Sequence, residues 1–92
     1  MRRAARVDAN QEQVVSALRA AGANVWILGL PVDLLVGYKG HTILMEVKDG
    51  PGKRLTALQD TFFENWYGGP LSRVDGPEAA LNVLKVIDAR PD

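Results

Sequence analysis

The sequence predicts a single α/β domain (α+β) with the element order α-β-β-β-α-β-α. Three observations carry that prediction. The chain has 92 residues, which suits one domain, since domains run from about 50 to 250 residues. Apolar residues recur at helical spacing near both ends and in short alternating runs between them. Glycine and proline punctuate those runs, and no internal repeat, low-complexity tract or Pro/Ser-rich linker marks a second unit.

The elements follow in order. Asp8-Ala9-Asn10-Gln11 has the spacing of a capping box. Val14, Val15, Leu18 and Ala21 then recur at helical spacing until Gly22, so a first helix spans about 8–21. Asn24 to Leu28 reads as a short strand. Leu34-Leu35-Val36 and Thr42-Ile43-Leu44-Met45-Glu46-Val47 read as two more, joined through Tyr38-Lys39-Gly40-His41. Asp49-Gly50-Pro51-Gly52 is a loop. Thr56-Ala57-Leu58-Gln59 repeats the capping-box spacing and opens a second helix to about Tyr67, stopped by Gly68-Gly69-Pro70. Leu71 to Val74 is a brief strand. Gly76-Pro77-Glu78 starts a third helix with an apolar stripe of Leu81, Leu84 and Ile87. The strands are apolar at both parities, which predicts a sheet covered on both faces; Trp26 and Trp66 are expected in the core rather than as stacking platforms.

Composition excludes several chemistries. Without cysteine there is no disulfide framework, thiol nucleophile or cysteine zinc site. A single histidine, His41, at a hairpin corner, rules out a His-rich metal cluster and leaves no base-and-orienter pair for a serine triad. No apolar run approaches the ~20 residues of a membrane span, and Met1-Arg2-Arg3 leads into polar sequence rather than a signal-peptide core. No Walker-type or dinucleotide-binding glycine motif occurs. Lys+Arg and Asp+Glu both number 11, so bulk positive charge is not available for gripping nucleic acid.

The middle strands are where charge becomes informative. With Lys39-Gly40 as a two-residue hairpin loop, Tyr38 pairs with His41, Val36 with Ile43 and Asp33 with Glu46. The two carboxylates then stand opposite, their Cβ atoms about 5 Å apart, and Lys48 projects from the same face. Two such charges repel by about 3 kcal/mol at an effective dielectric of about 20. A hard divalent cation held by oxygen ligands, Mg²⁺ or Mn²⁺, would reverse the sign. The plainer alternative is a solvated Asp33 and a simple Lys48–Glu46 pair. A three-residue loop with a glycine bulge would set Asp33 against Met45 and separate the carboxylates.

Other polar residues can be set against the same site. Gln11 shares the inward stripe of Val14, Val15 and Leu18, whereas Glu12 is rotated about 100° away, toward solvent. Gln59 shares the stripe of Phe62, Phe63 and Trp66. Each glutamine is either a capping-box residue returning to the backbone or a site residue orienting phosphate or water. Lys53 and Arg54, just before the second helix, suit anion binding at a helix N-terminus or a solvated loop. Arg2, Arg3 and Arg6 form a basic arm able to follow a phosphate backbone, or a disordered terminus.

Asp33-Leu34-Leu35-Val36-Gly37 followed by Glu46-Val47-Lys48-Asp49-Gly50 resembles the PD-(D/E)xK nuclease superfamily, and more narrowly its small stand-alone VRR-NUC members of phages and bacteria. The similarity runs from Asp8-Ala9-Asn10-Gln11 through Ala17-Leu18-Arg19 and Gly22 to Leu55-Thr56 and Gln59, and more weakly to Glu78-Ala79-Ala80-Leu81. The resemblance implies a restriction-endonuclease-like α-β-β-β-α-β core with a mixed sheet between helices, plus an extra C-terminal helix. It also implies Mg²⁺- or Mn²⁺-dependent hydrolysis of DNA phosphodiesters. Asp33 and Glu46 would hold the cation with the Val47 carbonyl, Lys48 would orient or deprotonate the attacking water, and Gln59 would match the glutamine of the helix after the ExK strand. Two departures stand out: Val32 separates Pro31 from Asp33, and Gln11 occupies the place of a helix-one glutamate.

The resulting expectation is a structure-selective, homodimeric DNA endonuclease acting on branched or duplex DNA, cytoplasmic in a bacterial cell or phage-infected host. Lys53, Arg54 and the arm residues Arg2, Arg3 and Arg6 would contact DNA. The competing expectation is a non-catalytic DNA- or protein-binding module that keeps the fold. By segment, net charge is +2 over 1–30, zero over 31–74 and −2 over 75–92. Tight DNA binding should therefore need the metal, the dimer, or both.

Overall fold

The computed structural model describes residues 9–48 and 55–90. It contains α1 (Ala9–Ala20), β1 (Asn24–Ile27), β2 (Leu34–Tyr38), β3 (His41–Val47), α2 (Ala57–Asn65), β4 (Leu71–Val74) and α3 (Pro77–Asp88). This is a small α+β domain in the expected order, with helix and strand ends moved by one or two residues. No helix among the described residues is long and apolar enough to cross a membrane.

Helix α1 ends where the sequence offers a glycine. Gly22 has φ +100°, a region that other residues enter at a cost. The Ala23 N–H reaches back to the Leu18 carbonyl and the Gly22 N–H to that of Arg19, both at 3.0 Å, which satisfies two carbonyls of the last turn. The chain then turns directly into β1.

The sheet has the order β1-β2-β3-β4. The first two pairings are antiparallel and the β3–β4 pairing is parallel, the crossover running through α2. The two-residue loop is present: Lys39 and Gly40 have φ +50° and +83°, the positive pair that matches the twist of a tight hairpin. Tyr38 accordingly pairs with His41, Val36 with Ile43 and Leu34 with Met45. The Tyr38 hydroxyl and the Lys39 ammonium both donate to Asp88, tying the hairpin tip to the end of α3.

This register sorts the side chains onto two unequal faces. Val25, Val36 and Ile43 line up across three strands, and Leu34, Met45, Val47 and Val74 join them. Val14, Val15 and Leu18 of α1 and Ala80 and Leu84 of α3 close over that face. The opposite face carries a second row, Trp26–Leu35–Leu44–Leu71. Coverage of both faces does not follow from apolar content at both parities: Leu35, Leu44 and Leu71 stay half-buried, and Trp26 is 70% exposed. The only residue of α2 that is buried is Gln59. Trp66 is likewise outside the core, stacked on Phe62 with its indole N–H donated to the Gly69 carbonyl.

Candidate functional site

The site forms where β2 begins and β3 ends. Asp33 precedes β2 by one residue, yet its carbonyl accepts the Leu28 N–H at 2.7 Å and the Gly29 N–H at 3.4 Å. These bonds carry the β1–β2 alignment one step past the regular strands. Toward β3 the side chains take over from the backbone ladder. The Asp33 N–H donates to Glu46 Oε1 at 3.2 Å, and the Val47 N–H donates to Asp33 Oδ2 at 2.9 Å. Asp33 and Glu46 are thus bracketed together, each taking a backbone donor from the other strand.

Glu46 lies on the open face at only 2% exposure, because α2 rests over it through Gln59. The Gln59 Nε2 donates to Glu46 Oε2 at 2.6 Å. At its other end, Gln59 Oε1 accepts the Thr56 N–H at 3.0 Å, while the Gln59 N–H donates to Thr56 Oγ1 at 3.2 Å. The capping box and the inward-facing site residue are therefore the same arrangement. Because the cap engages the amide oxygen, the amide nitrogen is left to face the carboxylate, so Gln59 presents a donor there.

Lys48 comes two residues further along the same face, and its ammonium lies 3.4 Å from Glu46 Oε2 with the side chain 17% exposed. Its backbone is held on both sides. The Lys48 N–H donates to the Val74 carbonyl, and Asn10 Nδ2 donates to the Lys48 carbonyl at 3.2 Å and to the Asp75 carbonyl at 3.0 Å. Asn10 stitches β3 and β4 together just past their last regular pair. Sequence patterning contains no signal for this role, since the contacts span 38 and 65 positions. Parallel pairing also sets Arg73 beside Glu46, a neighbour that local spacing does not reveal.

Burial, then the Asp33 charge, raise the Glu46 pKa above its ordinary value, while Lys48 and the Asp33 N–H pull it back. The carboxylate pair is thus a place where negative charge is stored at a cost. Two carboxylates suit Mg²⁺, which is commonly bound through one or two protein carboxylates with water and substrate phosphate completing its shell. Among the described residues no group of three or more His, Cys, Asp or Glu gathers, so the acidic donor set is Asp33 and Glu46. A cation entering between them would compete with Gln59 and Lys48 for Glu46 Oε2.

Four of the residues expected at a site, Asp33, Glu46, Lys48 and Gln59, are brought together, with Val47 supplying an N–H to Asp33 and its side chain to the core. Gln11 is half-buried in α1, and no hydrogen bond links its side chain to those four; Glu12 is exposed. Arg2, Arg3, Arg6, Lys53 and Arg54 lie outside the described residues.

No protein-family model matches the chain, and neither curated proteins nor solved structures return a match.

Proposed function

We propose that this chain is a Mg²⁺- or Mn²⁺-dependent DNA endonuclease with a restriction-endonuclease-like core, selective for DNA structure and acting as a homodimer. The observation that supports this reading best is the reciprocal bracket of Asp33 and Glu46 with Lys48 alongside. A fold gains nothing in stability from holding two carboxylates against each other in a sheltered place, whereas phosphodiester hydrolysis can use them. Asp33 and Glu46, with the Val47 carbonyl, would hold the cation, which when bound supplies a Lewis acid for the phosphate and for water. Lys48 orients the attacking water and helps take its proton, and Gln59 keeps Glu46 turned into the site. Lys53, Arg54 and the arm residues Arg2, Arg3 and Arg6 would contact the phosphate backbone. Pairing of two chains would enlarge a small footprint, since specific protein–DNA interfaces bury about 1,000 Å² or more of protein.

One observation favours a second reading, a non-catalytic DNA- or protein-binding module. The Glu46 carboxylate is already supplied with three donors, from Asp33, Gln59 and Lys48, so the arrangement is satisfied without a cation. A cleavage panel separates the two. Single-stranded, duplex, flap and four-way-junction DNA, each with Mg²⁺ and with Mn²⁺, should include a substrate that the wild type cuts. Glu46→Ala and Lys48→Ala should lose cutting while keeping DNA binding. Absence of cutting across the whole panel sinks the nuclease reading in favour of the module.

A further inference from the structure

We propose that the open recess along the outer edge of β1 binds one unpaired nucleotide of a nucleic-acid strand, its base stacked on the Trp26 indole and its phosphate held by Arg19. The inference rests on the reading of the carboxylate site as one that takes a phosphodiester, and it adds where the neighbouring part of the strand goes.

The recess has a volume of about 580 Å³ and is lined by Arg19, Ala23, Asn24, Val25, Trp26 and Ile27, a size within the range of small-molecule sites. Trp26 and Arg19 both line it, so an aromatic residue and a cation border one recess. Trp26 is 70% exposed on an edge strand, and Ile27, Leu28 and Leu30 beside it in sequence are exposed as well, a run of open apolar residues of the kind that marks binding surfaces. Arg19 Nη2 donates to the Val25 carbonyl at 2.8 Å. That bond fixes the guanidinium at the rim and uses one of its five donors, and a planar cation held in this way suits a phosphate.

The same contact argues against an added strand from a protein partner. The Leu28 N–H bonds across to the Asp33 carbonyl, so by alternation the backbone groups of Trp26 also turn toward β2, and those of Val25 and Ile27 turn outward. A partner strand would need the Val25 carbonyl, which Arg19 already covers, on an edge of only four residues. What stays open suits a base: the Trp26 face for stacking and the Ile27 backbone groups at the rim.

The recess also lies within reach of the carboxylates. Trp26 shares a row with Leu35 and Leu44, on the same sheet face as Glu46. Two strand spacings and two residues separate Trp26 from Glu46, about 12 Å at standard sheet dimensions. A stacked strand advances about 3.4 Å per nucleotide, so a base on Trp26 would sit within about four nucleotides of the carboxylates. A continuous duplex cannot offer an unpaired base there, which would make this recess a source of selectivity for frayed or single-stranded DNA.

The test uses the full chain in excess chelator, so that binding is read without cleavage. Fluorescence anisotropy with a labelled oligothymidylate should show Trp26→Ala weakening binding about 5- to 100-fold, with binding to a blunt duplex changed less than about twofold. Trp26→Phe should retain most of the affinity. Arg19→Gln should lower the salt dependence by about one ion. In a Trp66→Phe background, the oligothymidylate should quench the remaining Trp26 fluorescence, a readout that leaves the recess itself unaltered. Equal losses on both DNAs, no loss on either, or a wild-type dimer that Trp26→Ala dissociates would each overturn the proposal. Its failure is separable from that of the nuclease reading: oligothymidylate binding that depends on Trp26, in a protein that cuts nothing in the panel, removes the nuclease and keeps the recess.

Discussion

Replacing Lys48 by methionine keeps most of the side chain's length and removes its charge, and the structure specifies what that costs. The ammonium lies 3.4 Å from a Glu46 oxygen, where opposite unit charges attract by about 5 kcal/mol at an effective dielectric of about 20. Lys48 is partly exposed and regains some hydration when unfolded, so the net loss is about 2–3 kcal/mol, below the 3–5 kcal/mol of fully buried pairs. In a domain of this size that lowers Tm by about 8–24 °C. The loss is also pH-dependent, with a definite sign. Glu46 has a folded pKa raised above its ordinary value even with Lys48 present. A raised acid contributes stability below its unfolded pKa and loses it as pH rises through the folded one. Removing Lys48 takes away one of the influences holding that pKa down, so the variant must lose stability more steeply than the wild type as pH rises. Urea denaturation of metal-free protein at pH 4.5 and pH 7.5 measures this. The variant should lie within about 1 kcal/mol of wild type at the lower pH and about 2–3 kcal/mol below it at the higher. Mg²⁺ should restore more stability to the variant than to the wild type. A deficit equal at both pH values would refute the electrostatic account and leave a packing defect.

Three further outcomes follow from the same geometry. Glu46→Gln removes the repulsion from Asp33, so in metal-free protein it should flatten the fall in stability with rising pH from about the ordinary glutamate value upward, while lowering Mn²⁺ affinity by about tenfold or more in calorimetry. Gln59→Glu can still accept the Thr56 N–H but places a third carboxylate against Glu46; metal-free stability should fall by about 1–3 kcal/mol and Mn²⁺ affinity should rise, and a drop in affinity would count against a cation between Asp33 and Glu46. Asn10→Ala leaves the Lys48 and Asp75 carbonyls without that donor; a cost of about 1–2 kcal/mol, with faster hydrogen exchange at the β3–β4 end, is the expected result, and unchanged exchange there would mean that Asn10 stitches nothing.

The element order was readable from local chemistry. Gly22 after the stripe of Val14, Val15 and Leu18 ends a helix because one φ there must be positive, and Lys39-Gly40 makes a tight hairpin for the same reason. The hairpin in turn sets the Asp33–Glu46 register, since a two-residue loop leaves one alignment of its strands. Gln59 was readable twice over, as a cap and as an inward residue, and the structure joins the two because an amide has an acceptor at one end and a donor at the other. These features depend on neighbours a few residues away, or on counting back from one turn.

Other features depended on which surfaces meet. Trp26 and Ile43 both sit in apolar strand segments, yet one is exposed and the other buried. Periodicity assigns residues to faces but does not say whether a helix lies over each face: α1 and α3 pack on the same side, and α2 reaches the other chiefly through Gln59. Asn10 carries no local mark of its contact with Lys48, nor Arg73 of its place beside Glu46, because a parallel crossover and a helix docked from the far end of the chain bring them there. Short-range backbone preferences, encoded locally, settled the turns, the caps and the carboxylate pair. Long-range packing settled the open face, the recess at β1 and the hold on Lys48, because those depend on how much apolar area each helix can bury and where.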